Sequence, residues 1–401
     1  MRLSNTSAFY LQASIILFFL AGSSAPTPLY AVYQAEWGFS PITTTVVFGI
    51  YALAVLAALL SAGSLSDYIG RRPVLIVATL LQAAAMWIFA HAHGVNELIG
   101  ARIVQGLATG GAASAIGAGM LDIDRAKGTI ANAVGPMLGT ATGGIASGLM
   151  VQYLPAPTVL IYAVFGSIFV AQAIGVVLMP ESVTPRPGAL ASLKPHFRLP
   201  REIRRPMLLA APALVSAWAL VGFYGSLGPS LLRRMAHSTS LALGGLTLFV
   251  LAGSAASTVF LLRTRSPNAL TTLGMAALVV GVGITLLAIP MASLPLFFAG
   301  CVVAGAGFGA GFQGAIRSVL LLAAPQERAG VLSVLYVIAY LAMGLPAVLG
   351  GVRAVYGGGV IHAAHEYGLA VMTLAAVAFV GSLRRRATES TPEPALEAAR
   401  Q

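Results

Sequence analysis

The sequence predicts an all-α membrane protein, with twelve transmembrane helices arranged as two pseudo-symmetric six-helix halves. Composition, the spacing of charges and prolines, and the one-sided placement of basic residues predict it. Of the 401 residues, 58% are hydrophobic and only 9% are charged, with mean hydropathy +0.87. Soluble domains carry roughly 25% charged residues, so the core of this chain is a lipid-facing bundle of helices. A net charge of +11 would fit a nucleic-acid binder, but the positions of the charges exclude it.

A membrane helix needs roughly 20 apolar residues. Charges and prolines cut the chain into twelve such pieces, near 9–34, 42–66, 73–94, 98–121, 128–153, 158–180, 207–231, 241–262, 269–289, 295–322, 330–352 and 363–383. The first apolar run, Leu3 to Ala35, is uncharged and contains Pro26 and Pro28. It is much longer than the roughly 7–15 residues of a signal-peptide core, so it reads as a retained span. Pro155 and Pro157 divide the uncharged run 128–180, and Pro290 and Pro295 divide 266–316.

Basic residues concentrate on the cytoplasmic side of such bundles. With both termini cytoplasmic, eighteen of the 23 Lys and Arg fall inside, among them Arg71, Arg72, Arg125, Lys127, Arg263 and Arg328. Arg233, Arg234 and Arg353 fall outside, and Arg102 and Arg317 lie within spans. The segment 181–206 holds six basic residues among its prolines and reads as a cytoplasmic linker between halves 1–180 and 207–386. Short echoes support an internal repeat: Arg71-Arg72-Pro73 with Arg265-Ser266-Pro267, and Asp124-Arg125-Ala126 with Glu327-Arg328-Ala329. The polar tail 387–401 reads as disordered. The single cysteine, Cys301, excludes an internal disulfide.

The loop after the second span, Gly63-Ser64-Leu65-Ser66-Asp67-Tyr68-Ile69-Gly70-Arg71-Arg72-Pro73-Val74-Leu75, resembles the signature of the major facilitator superfamily, G-x-L-a-D-r-x-G-R-r-x-x-L. Gly63, Leu65, Asp67, Gly70, Arg71, Arg72 and Leu75 match, while Ser66 and Tyr68 depart from it. The resemblance implies the fold of that family and a latch holding the cytoplasmic side shut. In it Asp67 faces the N-terminal end of the eleventh helix, near Gly330 and Val331, where a helix dipole favours an anion. Gly63 permits close helix approach, Gly70 a tight turn, and Arg71 can pair with Asp67. The alternative is a loop serving topology and folding only. In the second-half copy Leu261 and Ser257 stand where the acid and first glycine would be. Pro180-Glu181-Ser182 is similar to the family's P-E-[ST] at the exit of span six.

Arg102, with Gln105 and Gly106 after it, resembles the family's R-x-x-q-G motif. An arginine at that depth costs at least about 2.5–3.5 kcal/mol and needs a partner or water. The resemblance gives Arg102 and Gln105 a part in proton coupling or substrate charge recognition; the bland alternative is a snorkelling arginine. Gly135, Pro136 and Gly139 match part of the g-x-x-x-G-P-x-x-G-G run of the family's exporters, with Ala131 and Thr140 in place of its outer glycines. Glycines at four-residue spacing bring helices close, and the proline bends one.

None of the twelve acids lies mid-span. Proton carriers are therefore to be sought among Glu36, Glu97, Glu366, Asp67 and Asp122, or at His362 and His365; the alternative for each is a solvated loop group. The family's cavity is lined by spans 1, 4, 7 and 10, which places Thr27, Tyr30, Trp218, Tyr224 and Gln313 there, joined by Tyr336 and Tyr340 of span 11; Ser24, Thr109 and Ser216 are further polar groups on these helices. Such a lining suits neutral or amphipathic solutes; the alternative for each aromatic is packing between helices. Arg317 is expected to pair with Asp122 or Glu327, or to snorkel.

No metal-binding, nucleophile-elbow or phosphate-loop motif occurs, so an enzyme, a cofactor and ATP-driven transport are not expected. The reading is a multi-pass inner-membrane secondary transporter, monomeric and without nucleic-acid partners. It works by alternating access and exports small organic molecules against protons, with the proton gradient as energy source. An importer or facilitator for a sugar or metabolite is the nearest alternative. A non-transporting sensor or scaffold on the same fold is another.

Overall fold

The computed structural model describes residues 2–194, 200–237, 240–324 and 327–389, and every regular element among them is a helix. In order these are α1 (Asn5–Ser24), α2 (Pro26–Trp37), α3 (Pro41–Ala62), α4 (Ser66–Ile69), α5 (Arg71–Ala90), α6 (Val95–Ile123), α7 (Arg125–Tyr153) and α8 (Pro157–Val177). They are followed by α9 (Ala189–Ser192), α10 (Arg201–Ser226), α11 (Gly228–Ala236), α12 (Ala242–Leu261), α13 (Pro267–Ala288), α14 (Leu294–Leu320), α15 (Arg328–Tyr356) and α16 (Val360–Glu389). Local chemistry sets the boundaries. Pro26, Pro41, Pro157 and Pro267 each open a helix, where a missing N–H costs nothing. Ser4, Asp124, Ser266 and Ser293 cap first turns through their side chains. Gly38, at φ +68°, ends α2 in the left-handed region.

Twelve crossings result, two of them built from broken helices: α1 with α2, and α10 with α11. Eleven stretches among the described residues are long and apolar enough to cross a membrane. The remaining crossing, α6, is less apolar because glycine, serine, threonine, Gln105 and Arg102 interrupt it. Two boundaries differ from the sequence reading. The segment 181–206 is not all linker: it contains α9, and its last six residues already belong to α10, because an Arg-Glu-Ile-Arg-Arg start satisfies a helix as well as a loop. The tail assignment fails for residues 387–389, which continue α16. Residues 195–199 of the linker and 390–401 of the tail lie outside the described residues.

Buried apolar side chains form two clusters. One draws on Ala8 to Met179; the other draws on Ile203 to Ala378 and takes in Met137 of α7. The two sets of helices meet along a seam where α7 packs on α12 and α3 on α15. Alternate crossings place the tightest of these contacts at the end of the bundle away from the chain termini. There an added Cβ at Gly245 would lie 2.2 Å from the Gly144 carbonyl oxygen, and one at Gly351 would lie 2.3 Å from Thr45 Oγ1. Such approaches need glycine, because helix association within a membrane depends on close packing. At the terminus-bearing end a cavity of about 230 Å³ separates α7 from α12 and α14, bordered by Thr129, Ile130, Val259, Gln313 and Arg317.

Candidate functional site

The central polar cluster grows out of a proline break. Pro26 has no N–H to give the Gly22 carbonyl four residues earlier, and Pro28 stiffens the same turn, so the chain breaks between α1 and α2 at Ala25. The Gly22 carbonyl accepts instead from Gln105 Nε2 at 3.0 Å, and the Ser23 carbonyl accepts from Arg102 Nη1 at 2.8 Å. Ala25, at the break, gives its carbonyl to Ser147 Oγ at 2.5 Å. Arg102 also donates to Gln105 Oε1 (2.6 Å) and, through Nε and Nη2, to Tyr30 Oη (2.8 and 2.6 Å). The rings of Tyr30, Tyr51 and Phe89 stand 5.3–5.7 Å from its guanidinium carbon.

Arg102 is 1% exposed. The snorkelling alternative is therefore excluded: the side chain turns inward. Its partners are neutral oxygens and aromatic faces. Hydrogen bonds to a charged group contribute about 1.5–3 kcal/mol each, and an aromatic face adds about 0.5–2 kcal/mol. Together they offset the insertion cost without a carboxylate. The network continues from the Gln105 carbonyl to Thr109 Oγ1 (2.9 Å) and on to Gln82 Nε2 (2.8 Å). Sequence reasoning placed Tyr30 in the cavity but missed its bond to Arg102. The 72-residue separation hides the pair; Pro26 and Pro28 were the available signal.

The loop around Asp67 forms a second cluster. Arg71 Nη1 donates to Ser66 Oγ (2.6 Å) and Asp67 Oδ1 (2.5 Å), and its Nε stands 3.5 Å from Asp122 Oδ2, an ion-pair contact without hydrogen-bond geometry. Glu181 caps α5 from the far end of α8. Its carboxylate accepts from the backbone N–H groups of Arg71 (2.8 Å) and Arg72 (2.9 Å), while Arg72 bonds the Val177 carbonyl. Gly70 takes φ +100°, which favours glycine, and a Cβ there would lie 2.5 Å from Glu181 Oε2 and push the capping carboxylate aside. Gly63 ends α3 with Ser114 Oγ close by. Among the described residues Asp67 makes no hydrogen bond or ion pair with α15. Its hydrogen-bond partner among the described residues is Arg71, and its side chain is 45% exposed.

On α7 the glycines serve two neighbours. Gly135, Gly139 and Gly143, one turn apart, seat α1: a Cβ at Gly139 would lie 2.2 Å from the Leu17 carbonyl oxygen, and one at Gly143 would lie 2.3 Å from that of Ala21. Gly144 and Gly148 face α12. Pro136 lies inside the helix.

The expected cavity residues separate. Thr27 and Tyr30 border a small enclosed pocket with Thr44, Thr45 and Ser226. Trp218 sits among Phe308, Phe312 and Tyr340 at 5.1–6.2 Å, with Tyr336 beside Tyr340, and its buried Nε1–H has no partner among the described residues. Gln313 borders the terminus-side cavity. Tyr224 is a correction. Fully buried, it bonds Thr285 Oγ1 at 2.5 Å and packs on Phe223 and Phe297, so it belongs to the helix core. For Arg317 the pairing with Asp122 is not seen: it donates to the Arg263 carbonyl at 3.2 Å, while Asp122 pairs with Arg71 and Ser182. Of the proposed proton carriers, Glu366 is held by Arg353 (2.5 Å) and His362 (3.2 Å), and Glu36 and Glu97 are exposed. Asp124, at the start of α7, has its carboxyl held below the usual range, chiefly by the Lys127 backbone N–H.

Twelve crossings meeting at a two-sided seam, with a buried cation held at a helix break, define a polytopic helical membrane protein. The sequence profile of the Major Facilitator Superfamily matches residues 13–290, and the chain belongs to that family. It is similar to the inner membrane transport protein YnfM of Escherichia coli (strain K12), 27% identical over 235 residues, covering 57% of this chain and 56% of that protein. It is also similar to the multidrug resistance protein MdtL of Klebsiella pneumoniae (strain 342), 27% identical over 183 residues, 41% of this chain and 45% of that one. The chain thus spans about half the length of these curated relatives. Among solved structures, the nucleoside transporter NupG superposes with TM-score 0.66 at 13% identity, covering 95% of this chain and 99% of that one. The human organic anion transporter MFSD10 (TETRAN) gives 0.65 at 16%, covering 94% and 100%. These two likenesses show the fold.

Proposed function

We propose that the chain is a secondary transporter that exports small organic molecules by alternating access, driven by protons moving the opposite way. Halves 1–180 and 207–386 rock about the seam, as a monomer in the inner membrane with both termini cytoplasmic. The observation that carries this reading is the asymmetry of the seam. Glycine-mediated contacts close the end away from the termini, while a cavity parts α7 from α12 and α14 at the other. One end sealed and the other parted is one of the two states that alternating access requires. Asp67 and Arg71, which make no hydrogen bond to α15 among the described residues, then belong to the latch of the opposite state. Export is supported by the Gly135-Pro136 run and by the similarity to multidrug resistance proteins.

Arg102 and Gln105 are the coupling candidates. A proton entering the Tyr30–Arg102–Gln105 network needs an acceptor, and the guanidinium stays charged; its role is to fix the network and the local potential. The test is flux in inverted vesicles with an imposed pH gradient, using a panel of dyes, drugs and sugars. Gradient-dependent uptake of at least one organic solute is expected. Uptake of none, or solute movement indifferent to the gradient, contradicts proton-driven export.

A further inference from the structure

Two cavities meet end to end on the face away from the termini. The outer one, about 960 Å³, is bordered by Gln34, Glu36, Arg233, His237 and Leu241. The inner one, about 30 Å³, is bordered by Thr27, Tyr30, Thr44, Thr45 and Ser226. Ala31, Gln34 and Arg233 border both, so they form the wall between them. The inner space is the share of about one water molecule. The outer passage is therefore closed at this wall.

Arg233 is set into it by α11. Leu231, Leu232 and Met235 of that short helix are buried, which fixes its rotation, and Arg233 is half-buried while Arg234 is exposed. A basic residue in a last helical turn often serves only the helix dipole; exposed Arg234 meets that need. Arg233 has Ser230 Oγ 3.5 Å from Nη2 and, among the described residues, no carboxylate within ion-pair distance. Further in, Tyr30 borders the inner pocket, and its hydroxyl is held by Arg102, the second guanidinium without a carboxylate. The acid on this route is Glu36, exposed at the rim.

Resting on the transport reading above, we propose that Gln34 and Arg233 form the outer gate, and that Arg233 selects solutes bearing a negative group, organic anions such as carboxylates. A low-dielectric wall with one uncompensated cation concentrates anions at the constriction and disfavours cations of the same size.

The gate can be tested without transport. In a Cys301→Ser background, Ala31→Cys places a reporter thiol at the wall. Its modification from outside is timed with an anionic and a cationic methanethiosulfonate of similar size. The anion-to-cation rate ratio should exceed that of a free thiol and fall about tenfold in Arg233→Gln. Arg233→Lys should retain it, and Glu36→Gln should raise it. If glutamine disturbs α11, Arg233→Met keeps the apolar stem and gives the same reading. A ratio unmoved by removal of the charge overturns the proposal. Flux of an aromatic carboxylate against its neutral amide is measured in parallel. Absence of flux with an Arg233-dependent ratio would reject the transport reading and leave the electrostatic gate; flux of both solutes with an unmoved ratio would do the reverse.

Discussion

The first six crossings and the last six share an architecture but handle polarity in opposite ways. In the first, a buried arginine, Arg102, is held by carbonyls, Gln105 and Tyr30. In the last, the buried polar contacts are neutral: Tyr224 with Thr285, Thr272 with Ser382, Tyr367 with the Ala219 carbonyl. The loops after the second and eighth crossings differ in the same sense. Glu181 caps α5 from a distant segment, with Arg71 tied to Asp67 and near Asp122. In the second, Ser266 caps α13 from its own turn at 3.3 Å. A neutral local cap suffices for a helix start. The charged, long-range version joins α3, α5, α6 and α8 into one body, so the first half is built as the coupled element and the second as its apolar counterpart.

The largest test of that contrast removes the charge. Arg102→Ala should abolish gradient-linked flux and destabilise the protein by about 2–4 kcal/mol, because it leaves the Tyr30 hydroxyl, Gln105 Oε1 and the Ser23 carbonyl without their donor in an apolar interior. Arg102→Lys should retain part of the flux, since an ammonium cannot hold the fork of partners. Flux assays with thermal unfolding in detergent check both. Normal flux in Arg102→Ala would erase the distinction between the halves.

Next in size is the seam. Gly245→Leu places a side chain against the Gly144 carbonyl and Gly148, so it should hold the outer end open. Flux should fall severalfold, and a cysteine at Thr45 should label faster from outside.

The loop separates two effects. Glu181→Ala removes the charged cap of α5 and should cost about 1–2 kcal/mol. Asp67→Asn should change stability little, since Arg71 keeps Ser66 and Asp122, yet should cripple flux by weakening the closed state of the latch. The smallest effect expected is at Asp124. Its lowered carboxyl pKa makes its cap on α7 fully present above the ordinary aspartate range and lost as pH falls through the lowered native value. Asp124→Asn should therefore flatten the acid side of the stability profile.

Much of the fold was legible because membrane helices announce themselves by length and by the charges that end them. The signature loop and Arg102 were visible for the same reason, since a charge in such a chain must be explained. Other features needed three dimensions. The Tyr30–Arg102 pair depends on which carbonyls Pro26 frees. Tyr224 could not be told from a cavity residue, because a tyrosine on α10 reads alike whether it faces the seam or Thr285. Glu181 looked like a motif exit, and its cap on α5 crosses 110 residues. Whether Asp67 meets α15 depends on conformation, which one sequence does not specify.

The central claim is that the end away from the termini must open for a solute to cross, and a crosslink tests it most directly. A Cβ at Gly351 would lie 3.0 Å from Thr45 Cβ, within about 0.5–1 Å of the Cβ separation of a disulfide. With Cys301→Ser, the pair Thr45→Cys and Gly351→Cys should crosslink on oxidation. Transport should stop when the bond forms and return on reduction. Undiminished flux in fully crosslinked protein would contradict alternating access through this end.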